Sequence, residues 1–473
     1  MSRMVWKSGI LLATLGALTQ PRSSAQEPEI PVHKLTVSPA AAPDPALRYR
    51  LLPELRDTTP GNAVLLYYRA FAPDWWRHVQ KDKELTDKLD EALDKPPADV
   101  KAIPQLAFVR DWNALKEVDR AARRAYCDWE LTPRVREDGV MLLLPDIQSM
   151  RQFTSYLKIR AKLELADLQF DKAAYTLQTG FQMGRHVAHA PTLIQALMGA
   201  AAAAVMLSEV EEWAQTPGSP NLYWALTELP QPFIPLRIPY QGEKLFIDNL
   251  FPGYREALAD PSKVPPPLGP ELQRKLVQAI DRPADGTLHL LILATKKYAV
   301  AKAYLREHGR TAEQVEALPV LSAVMLYEVA IVDRLYDEVL KAQGLPYPVA
   351  RPLLQHADTL IKEEVVRSGS PGLSIAGMLM PAILKVHRSS VQRDRTINLL
   401  RTVELLRLYA AAHGKWPERL ADVTEAPVPP DPLTGQPFDY RLDGETAILT
   451  APPPTGEPPH EGNCRRYEIT LRK

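Results

Sequence analysis

Two histidines three residues apart are the first side chains whose type and spacing could do chemistry. His186 and His189 stand in the segment HVAH, and residues three apart share one face of a helix. Such a pair could bind one metal ion, although the segment lacks the glutamate of zinc-protease motifs. With a carboxylate brought near by the fold, the pair could also serve a hydrolase. The alternative is the polar end of a helix, where imidazoles cap backbone carbonyls.

Two pairs of glutamates could perform acid–base chemistry but also fit a simpler structure. Glu209 and Glu212 are three residues apart, and Glu363 and Glu364 are adjacent. Paired carboxylates act as general acid and base when their environments differ. Charged residues on a predicted helix usually form its solvated face, and we adopt this interpretation for both pairs.

The sequence contains two cysteines, Cys127 and Cys464. In an exported protein they could form one disulfide that ties the first helical domain to the C-terminal region. Two separate buried thiols explain them equally well, because sequence spacing does not fix a disulfide. Cys127, in AYCDWE, could also be a nucleophile, but the sequence identifies no base beside it.

The composition excludes several classes of function. Lys plus Arg and Asp plus Glu both number 57 among 473 residues, so the formal net charge is zero and no overall positive field attracts nucleic acid. The chain has neither a Gly-x-Ser-x-Gly nucleophile elbow nor a phosphate-binding glycine loop. Proline is frequent, with 45 residues, and glycine is scarce, with 22, which is typical of stiff connectors between packed units.

The N-terminus has the features of a secretory signal peptide. Arg3 and Lys7 precede the apolar stretch 8–18, and small residues at 23–25 precede Gln26. The apolar stretch is shorter than the roughly 20 residues that span a bilayer, so an uncleaved anchor is the less favoured alternative. We therefore predict export through a cleavable signal peptide to the periplasm or the cell exterior, with no transmembrane span in the mature chain.

The remainder divides by composition and periodicity. Proline-rich stretches flank two regions with helical periodicity, and the C-terminal part combines a helix with alternating strands. The predicted units are a signal peptide (1–25), a proline-rich lead-in (26–60), a helical domain (61–216), a proline-rich connector (217–270), a second helical region (271–388) and a C-terminal module (389–473).

A pair of helices is clearest between residues 149 and 190. Its second helix has aromatic, small and large residues at positions that matter in the tetratricopeptide repeat: Phe170, Ala173, Leu177, Gly180 and Phe181. The pair resembles one such hairpin, although Leu168 replaces the turn glycine and Arg160 stands at an apolar position. No second copy follows at the repeat's period, so the resemblance implies helix-hairpin packing without a repeat array.

The C-terminal module begins with an amphipathic helix. Apolar residues recur three and four apart between 389 and 412, Gly414 ends the helix, and Pro417 begins a short second helix. A lone hairpin is marginal in water, so the strands that follow should pack on the first helix.

A hairpin signal follows this helix. FDYRL and ETAIL flank Asp443-Gly444, a two-residue loop that favours a β-hairpin with Tyr440 opposite Ala447. Residues 467–471 alternate in the same way and add a third strand. The sequence thus predicts a mainly α protein with helix-hairpin (tetratricopeptide-like) packing and a small C-terminal α+β module of about three antiparallel strands.

The order of features in this module resembles the periplasmic part of type II secretion pseudopilins. The matching residues are Leu405, Tyr409, Gly414, Trp416, Pro417, Leu420, Asp431, Pro432, Gly435, Pro437 and Tyr440. The resemblance covers the C-terminal module alone and implies an assembly role. Pseudopilins begin with a membrane helix that builds their filament, and here the module stands at the far C-terminus, so filament assembly is not implied. The whole chain resembles large, mainly helical, uncharacterised exported bacterial proteins that end in such a module.

The resemblance also implies a candidate calcium site, because some pseudopilins bind calcium in the loops of this sheet. Asp439, Asp443 and Glu445 offer the oxygen ligands that calcium prefers. The alternative is ordinary turn chemistry beside a solvated face. No other cofactor is expected.

These features favour a non-enzymatic scaffold or protein-interaction protein of the cell envelope, whose partners are other envelope proteins. The alternative is a hydrolase whose site assembles only in three dimensions, with His186 or His189 beside a carboxylate. The sequence does not indicate an oligomeric state.

Overall fold

Helices make up most of the protein in the structure, a computed structural model that describes residues 30–72, 82–139, 142–270, 286–368, 374–460 and 462–472. These ranges contain sixteen α-helices and six β-strands. The predicted mainly α fold with a small C-terminal α+β module is therefore confirmed. The predicted signal peptide lies outside the described residues.

The elements are numbered in chain order. The helices are α1 (Val64–Phe71), α2 (Lys83–Ala92), α3 (Pro97–Lys101), α4 (Asn113–Ala122), α5 (Leu131–Asp138), α6 (Asp146–Ala166), α7 (Phe170–Ala188), α8 (Leu193–Gln215), α9 (Tyr223–Thr227), α10 (Arg237–Leu250), α11 (Tyr254–Ala259), α12 (Gly286–Glu307), α13 (Ala312–Glu316), α14 (Val320–Leu340), α15 (Tyr347–Ser368) and α16 (Ile375–His413). The strands are β1 (Val32–Val37), β2 (Thr59–Asn62), β3 (Arg124–Tyr126), β4 (Asp439–Asp443), β5 (Thr446–Ala451) and β6 (Arg465–Leu471). The predicted helix after Pro417 is a single 3₁₀ turn at Leu420–Asp422.

The helix pair predicted between 149 and 190 forms α6 and α7, which are joined by a tight turn. Backbone hydrogen bonds from Gln169 N to Glu164 O and from Leu168 N to Leu165 O, both 2.9 Å, close this turn in the pattern that ends helices at a left-handed residue. Leu168 has φ +56°, a conformation that favours glycine. The chain thus holds an exposed leucine where the tetratricopeptide turn has glycine.

Helices α7 and α8 approach closely because glycines face each other. A Cβ built on Gly199 would lie 2.3 Å from the carbonyl oxygen of Gly184 and 2.6 Å from the Cβ of Ala188, so a larger residue would push the helices apart. By length and composition, α8 is the one described helix that could cross a membrane. Most of its apolar window is buried inside the protein, as expected for a central helix.

The proline-rich stretch predicted as a connector is packed into the core. Residues 217–270 contain three helices, α9, α10 and α11. Phe233, Tyr240 and Tyr254 are fully buried and belong to a hydrophobic cluster shared with the helices on both sides. The prolines keep these helices short, while the apolar residues between them fill the core.

Helix α16 joins the helical body to the C-terminal module. It ends at Gly414, with φ +71°, as predicted. It contains Pro381 and runs without a break through residue 389, where the module was predicted to begin. Ile397 belongs to the large hydrophobic cluster of the body, and Val403 belongs to the cluster beneath the sheet. One continuous helix therefore contributes to both cores.

The C-terminal sheet has four strands in the order β1-β6-β5-β4. Strands β4, β5 and β6 pair antiparallel, as predicted. Strand β1 comes from the proline-rich lead-in and pairs parallel with β6, with Leu35 beside Ile469. The buried residues of β1 are Leu35 and Val37. Two alternating apolar residues are too few to indicate a strand from the sequence.

The register predicted for the hairpin is wrong. Tyr440 lies opposite Leu449 instead of Ala447. The two loop residues are therefore Gly444 and Glu445. Of these, Gly444 alone has a positive φ, of +59°. A glycine with positive φ at the first central position is typical of one class of two-residue hairpin turn. Asp-Gly marked the hairpin, but the glycine alone adopts the left-handed conformation.

Buried Arg395 of α16 holds the sheet module in place. Its Nη2 lies 2.6 Å from Oδ2 of Asp431, and the two side chains are 2% and 3% exposed. Its guanidinium also donates to the carbonyl oxygens of Pro452 at 2.6 Å and Asn463 at 2.7 Å. The helix is thereby fixed to three segments of the module at one point.

A second buried arginine of α16, Arg407, fixes the body and the lead-in. Its Nη1 lies 2.8 Å from Oε1 of Glu404, its Nη2 donates to the carbonyl oxygen of Ser219 at 2.7 Å, and its Nε donates to that of Ser38 at 2.9 Å. Charge-assisted bonds of this kind are stronger than neutral ones. The guanidinium of Arg407 therefore joins α16 to the lead-in and to the stretch that was predicted as a connector (217–270).

We expect Leu168→Gly to stabilise the protein by about 1 kcal/mol, because it removes the cost of a left-handed leucine. The measurement is the free energy of unfolding in denaturant. Leu291→Gly is the matched control, since Leu291 is also exposed but lies in the right-handed interior of α12. There the same change should destabilise by about 1 kcal/mol. Equal destabilisation by both changes would contradict this account.

Candidate functional site

The structure places His186 and His189 in different environments. His186 is 5% exposed, with Nδ1 2.9 Å from the Tyr67 hydroxyl and Nε2 2.8 Å from Nε2 of Gln182. Burial, with smaller contributions from Arg185 and His189, lowers the pKa of His186 to about 3. His189 is exposed just after α7. Neutral partners therefore occupy both ring nitrogens of His186, and its described hydrogen bonds include no carboxylate.

The three residues of the candidate calcium site do not converge. Asp439 and Asp443 stand at opposite ends of β4, about 13 Å apart by the rise of a strand. Glu445 lies in the turn. The ligand oxygens of one calcium ion lie within 2.3–2.6 Å of it, so the two aspartates do not share an ion. Within the described residues, no group of three or more His, Cys, Asp or Glu side chains has the geometry of a metal site.

Cys127 and Cys464 are separate buried thiols, one of the two alternatives that the sequence left open. Cys127 lies in the hydrophobic cluster of the helical body. The Cys464 thiol donates to the carbonyl oxygen of His460 at 3.3 Å. Burial raises the pKa of both thiols, so they resist ionisation, and the possible disulfide is not formed.

Two glutamates assigned to solvated helix faces are buried, so that interpretation is wrong for them. Glu209 is 0% and Glu364 is 4% exposed, whereas Glu363 is exposed. The ammonium of Lys162 lies 3.8 Å from Glu209, and burial raises the pKa of Glu209 to about 8. Which carboxylate is buried depends on packing between helices that are distant in sequence. The spacing of residues along the chain does not show this packing.

A buried lysine, Lys297, lies between Glu328 and Glu364. Its Nζ donates to both carboxylates, with 2.6 Å to Glu364 Oε1. Tyr327 donates to the second oxygen of Glu364 at 3.1 Å, and the backbone N–H of Ile375 donates to the second oxygen of Glu328 at 2.9 Å. All four carboxylate oxygens are thus occupied. The cluster joins α12, α14, α15 and the start of α16 and leaves no free acid or base.

A cavity of about 400 Å³ lies between α11, the C-terminal end of α12 and α14. Its polar lining residues are Arg255, Tyr304, His308, Arg310 and Asp333, and alanine, leucine and proline side chains form the rest of its wall. This volume is within the range of small-molecule sites.

Two arginines hold the walls of this cavity. Arg255 on α11 forms a bidentate pair with Asp333 on α14, through Nε at 2.7 Å and Nη2 at 2.6 Å. Gly309, with φ +95°, follows α12 and directs the chain to Arg310. Arg310 Nη2 donates to the carbonyl oxygens of Ala257 in α11 and of Lys263 after it. A glycine after a helical segment is a sequence signal for a helix end, and Gly309 is such a glycine. The sequence feature that could have pointed to this cavity is the arginine directly after Gly309.

Strand β4 leaves the outer edge of the sheet open. In the antiparallel pairing with β5, the two-residue loop makes Asp443 a hydrogen-bonded partner of Thr446. The alternate residues Tyr440 and Leu442 therefore direct their N–H and C=O groups away from β5. Within the described residues, the backbone N–H and C=O groups of Tyr440 and Leu442 have no hydrogen-bond partner on the side away from β5. Most of β4 is exposed.

The opposite edge of the sheet is covered at one end by α8. The backbone N–H of Thr36 on β1 lies 3.4 Å from Oε1 of Gln215, the last residue of α8. Arg472 donates to the carbonyl oxygen of Gln215 at 2.6 Å. The two edges of the sheet therefore differ: α8 contacts the end of β1 at Thr36, whereas the outward main chain at Tyr440 and Leu442 of β4 has no hydrogen bond among the described residues.

No family model, curated protein or solved structure matches this chain in the comparisons. The candidate sites are therefore defined by geometry: the open edge of β4, and the cavity lined by Arg310.

Asp394 is one of several carboxyls that burial keeps protonated near neutral pH. It is 8% exposed, and its Oδ1 accepts a hydrogen bond from the backbone N–H of Phe233 at 2.8 Å. Burial raises its pKa to about 7, against smaller opposing effects of that hydrogen bond and of Arg393. The folded protein therefore binds a proton that the unfolded chain has already lost.

We expect Asp394→Asn to gain stability relative to the native protein as the pH rises. The native protein loses stability between the unfolded and the folded pKa, from about pH 4 to 7, whereas asparagine keeps the acceptor for Phe233 and does not ionise. The difference in unfolding free energy should change by up to about 4 kcal/mol across this window. Asp111→Asn, at a 93% exposed side chain, is the control. Parallel pH curves for the native protein and Asp394→Asn would contradict this expectation.

Proposed function

We propose that this chain is an exported, non-enzymatic scaffold or interaction protein of the cell envelope, and that a partner protein adds a strand to β4. The observation that carries the proposal is the outward main chain of β4, which has no hydrogen bond at Tyr440 or Leu442 among the described residues. Extended peptides bind such edges through main-chain hydrogen bonds. The predicted signal peptide and the resemblance to an assembly module support the same role.

The side chains of β4 would select the partner. Asp439, Arg441 and Asp443 alternate negative, positive and negative on one face of the strand. Leu442 points to the other face and is 37% exposed. A complementary strand would carry the opposite charge order beside an apolar residue, because residues directly opposite each other across a strand pair interact. The same charges discourage non-specific edge pairing.

The arginine contacts of α16 make this edge a fixed surface. Arg395 holds Asp431, which lies shortly before β4, and the carbonyl of Pro452, which directly follows β5. A pre-formed edge reduces the ordering cost of binding. The partner is expected to be another envelope protein.

We expect Leu442→Pro to prevent partner binding, because proline removes the outward N–H of the edge and leaves the bonds to β5 intact. Leu442→Thr keeps the N–H and is the matched control. In affinity capture from an envelope extract, one partner should be retained by the native chain and by Leu442→Thr, and be reduced at least about tenfold by Leu442→Pro. With that partner added, hydrogen exchange at Tyr440 and Leu442 should slow.

Two results would refute the proposal. One is the absence of any specific partner in the captured material. The other is a partner that binds Leu442→Pro as well as it binds the native chain, with no change in exchange along β4.

A further inference from the structure

Arg310 is a buried cation without a carboxylate partner among the described residues. Its residue is 6% exposed. Nη2 donates to the carbonyl oxygens of Ala257 and Lys263, both at 2.8 Å. The remaining N–H groups, two on Nη1 and one on Nε, make no hydrogen bond to the described residues, and neither nitrogen is sealed from solvent. Buried arginines are normally paired, and this guanidinium has no direct ion pair among the described residues.

Among the described residues, no other charge at the cavity pairs directly with Arg310. Asp333 is engaged by two nitrogens of Arg255, which also bonds to Asp248 outside the cavity lining. Asp260 is half-buried, and its carboxylate accepts hydrogen bonds from Ser262. Burial lowers the pKa of Arg310 and the charge of Asp260 raises it to a smaller extent, but the two side chains form no ion pair within 4 Å.

The side chains of His308 and Tyr304, which also line the cavity, each have a polar atom without a partner among the described residues. His308 Nδ1 lies 2.7 Å from the carbonyl oxygen of Tyr304, so Nδ1 carries the proton and donates. Nε2 of His308 then remains without a described partner. The Tyr304 hydroxyl also makes no hydrogen bond to the described residues, and the imidazole of His308 stacks on the Tyr304 ring with centroids 3.8 Å apart.

We infer that this cavity binds a small organic anion, a carboxylate or a phosphate on a compact apolar body. The anionic group would pair with the free N–H groups of Arg310, since charge-assisted bonds to arginine suit both oxyanions. The Tyr304 hydroxyl would contribute a further donor. The apolar part would lie against Ala330 and the leucine and proline side chains of the wall. This site uses other elements than β4 and is independent of the strand-addition proposal.

The test is fluorine NMR of the purified full chain with three probes: 4-fluorobenzoate, 4-fluorophenyl phosphate and neutral 4-fluorobenzamide. We expect at least one anion to bind and the amide not to bind. Which anion binds decides between carboxylate and phosphate. Arg310→Gln should weaken binding at least about tenfold. Arg306→Gln is the matched control, because Arg306 lies nearby in the last turn of α12, outside the cavity, and is paired with Glu316.

A second variant keeps the test decisive if Arg310→Gln does not fold. Ala330→Leu fills the cavity from α14 and leaves Arg310 intact, so it should abolish anion binding. The inference is overturned if neither anion binds the native chain at millimolar concentration, or if the amide binds equally well. It is also overturned if a folded Arg310→Gln or Ala330→Leu variant keeps native affinity.

Discussion

The contact between Arg395 and Asp431 is the interaction on which the arrangement of this protein depends. A charge buried in an apolar interior is tolerated where an opposite charge and hydrogen bonds replace the lost water. Arg395 meets this condition with one carboxylate and two carbonyl oxygens from separate segments. Because these partners come from different parts of the module, the guanidinium fixes the whole module, and not one loop, against α16.

The same constraint explains why the helical body and the sheet are built together. Removing one partner of a buried ion pair costs about 3–5 kcal/mol, because the other charge stays uncompensated. Arg407 with Glu404 repeats the arrangement where α16 meets the lead-in, and Lys297 with its two glutamates repeats it between helices. Arg310 departs from it, since its charge faces a cavity instead of a carboxylate. That departure is what makes the cavity a candidate site while the paired clusters serve the fold.

Local patterns predicted a large part of the fold. The stop at Gly414 and the existence of the hairpin near Gly444 depend on residues adjacent in sequence, and both were predicted from them. The parallel strand at Leu35 was not predicted, because its partner β6 lies at the other end of the chain. The burial of Glu209 and Glu364 was missed for the same reason, since distant helices cover them. For His186 and His189 the error is the opposite one. Their helical spacing suggested a shared site, but in the fold His186 is buried and His189 is exposed.

The most direct test of this account is hydrogen exchange in the Arg395→Met variant. If the buried pair fixes the module, the amides of β5 and β6 should exchange faster than in the native protein, while those of α7 and α8 keep their native rates. Native exchange rates throughout the sheet of a folded Arg395→Met variant would show that apolar packing alone positions the module, and would contradict the central claim.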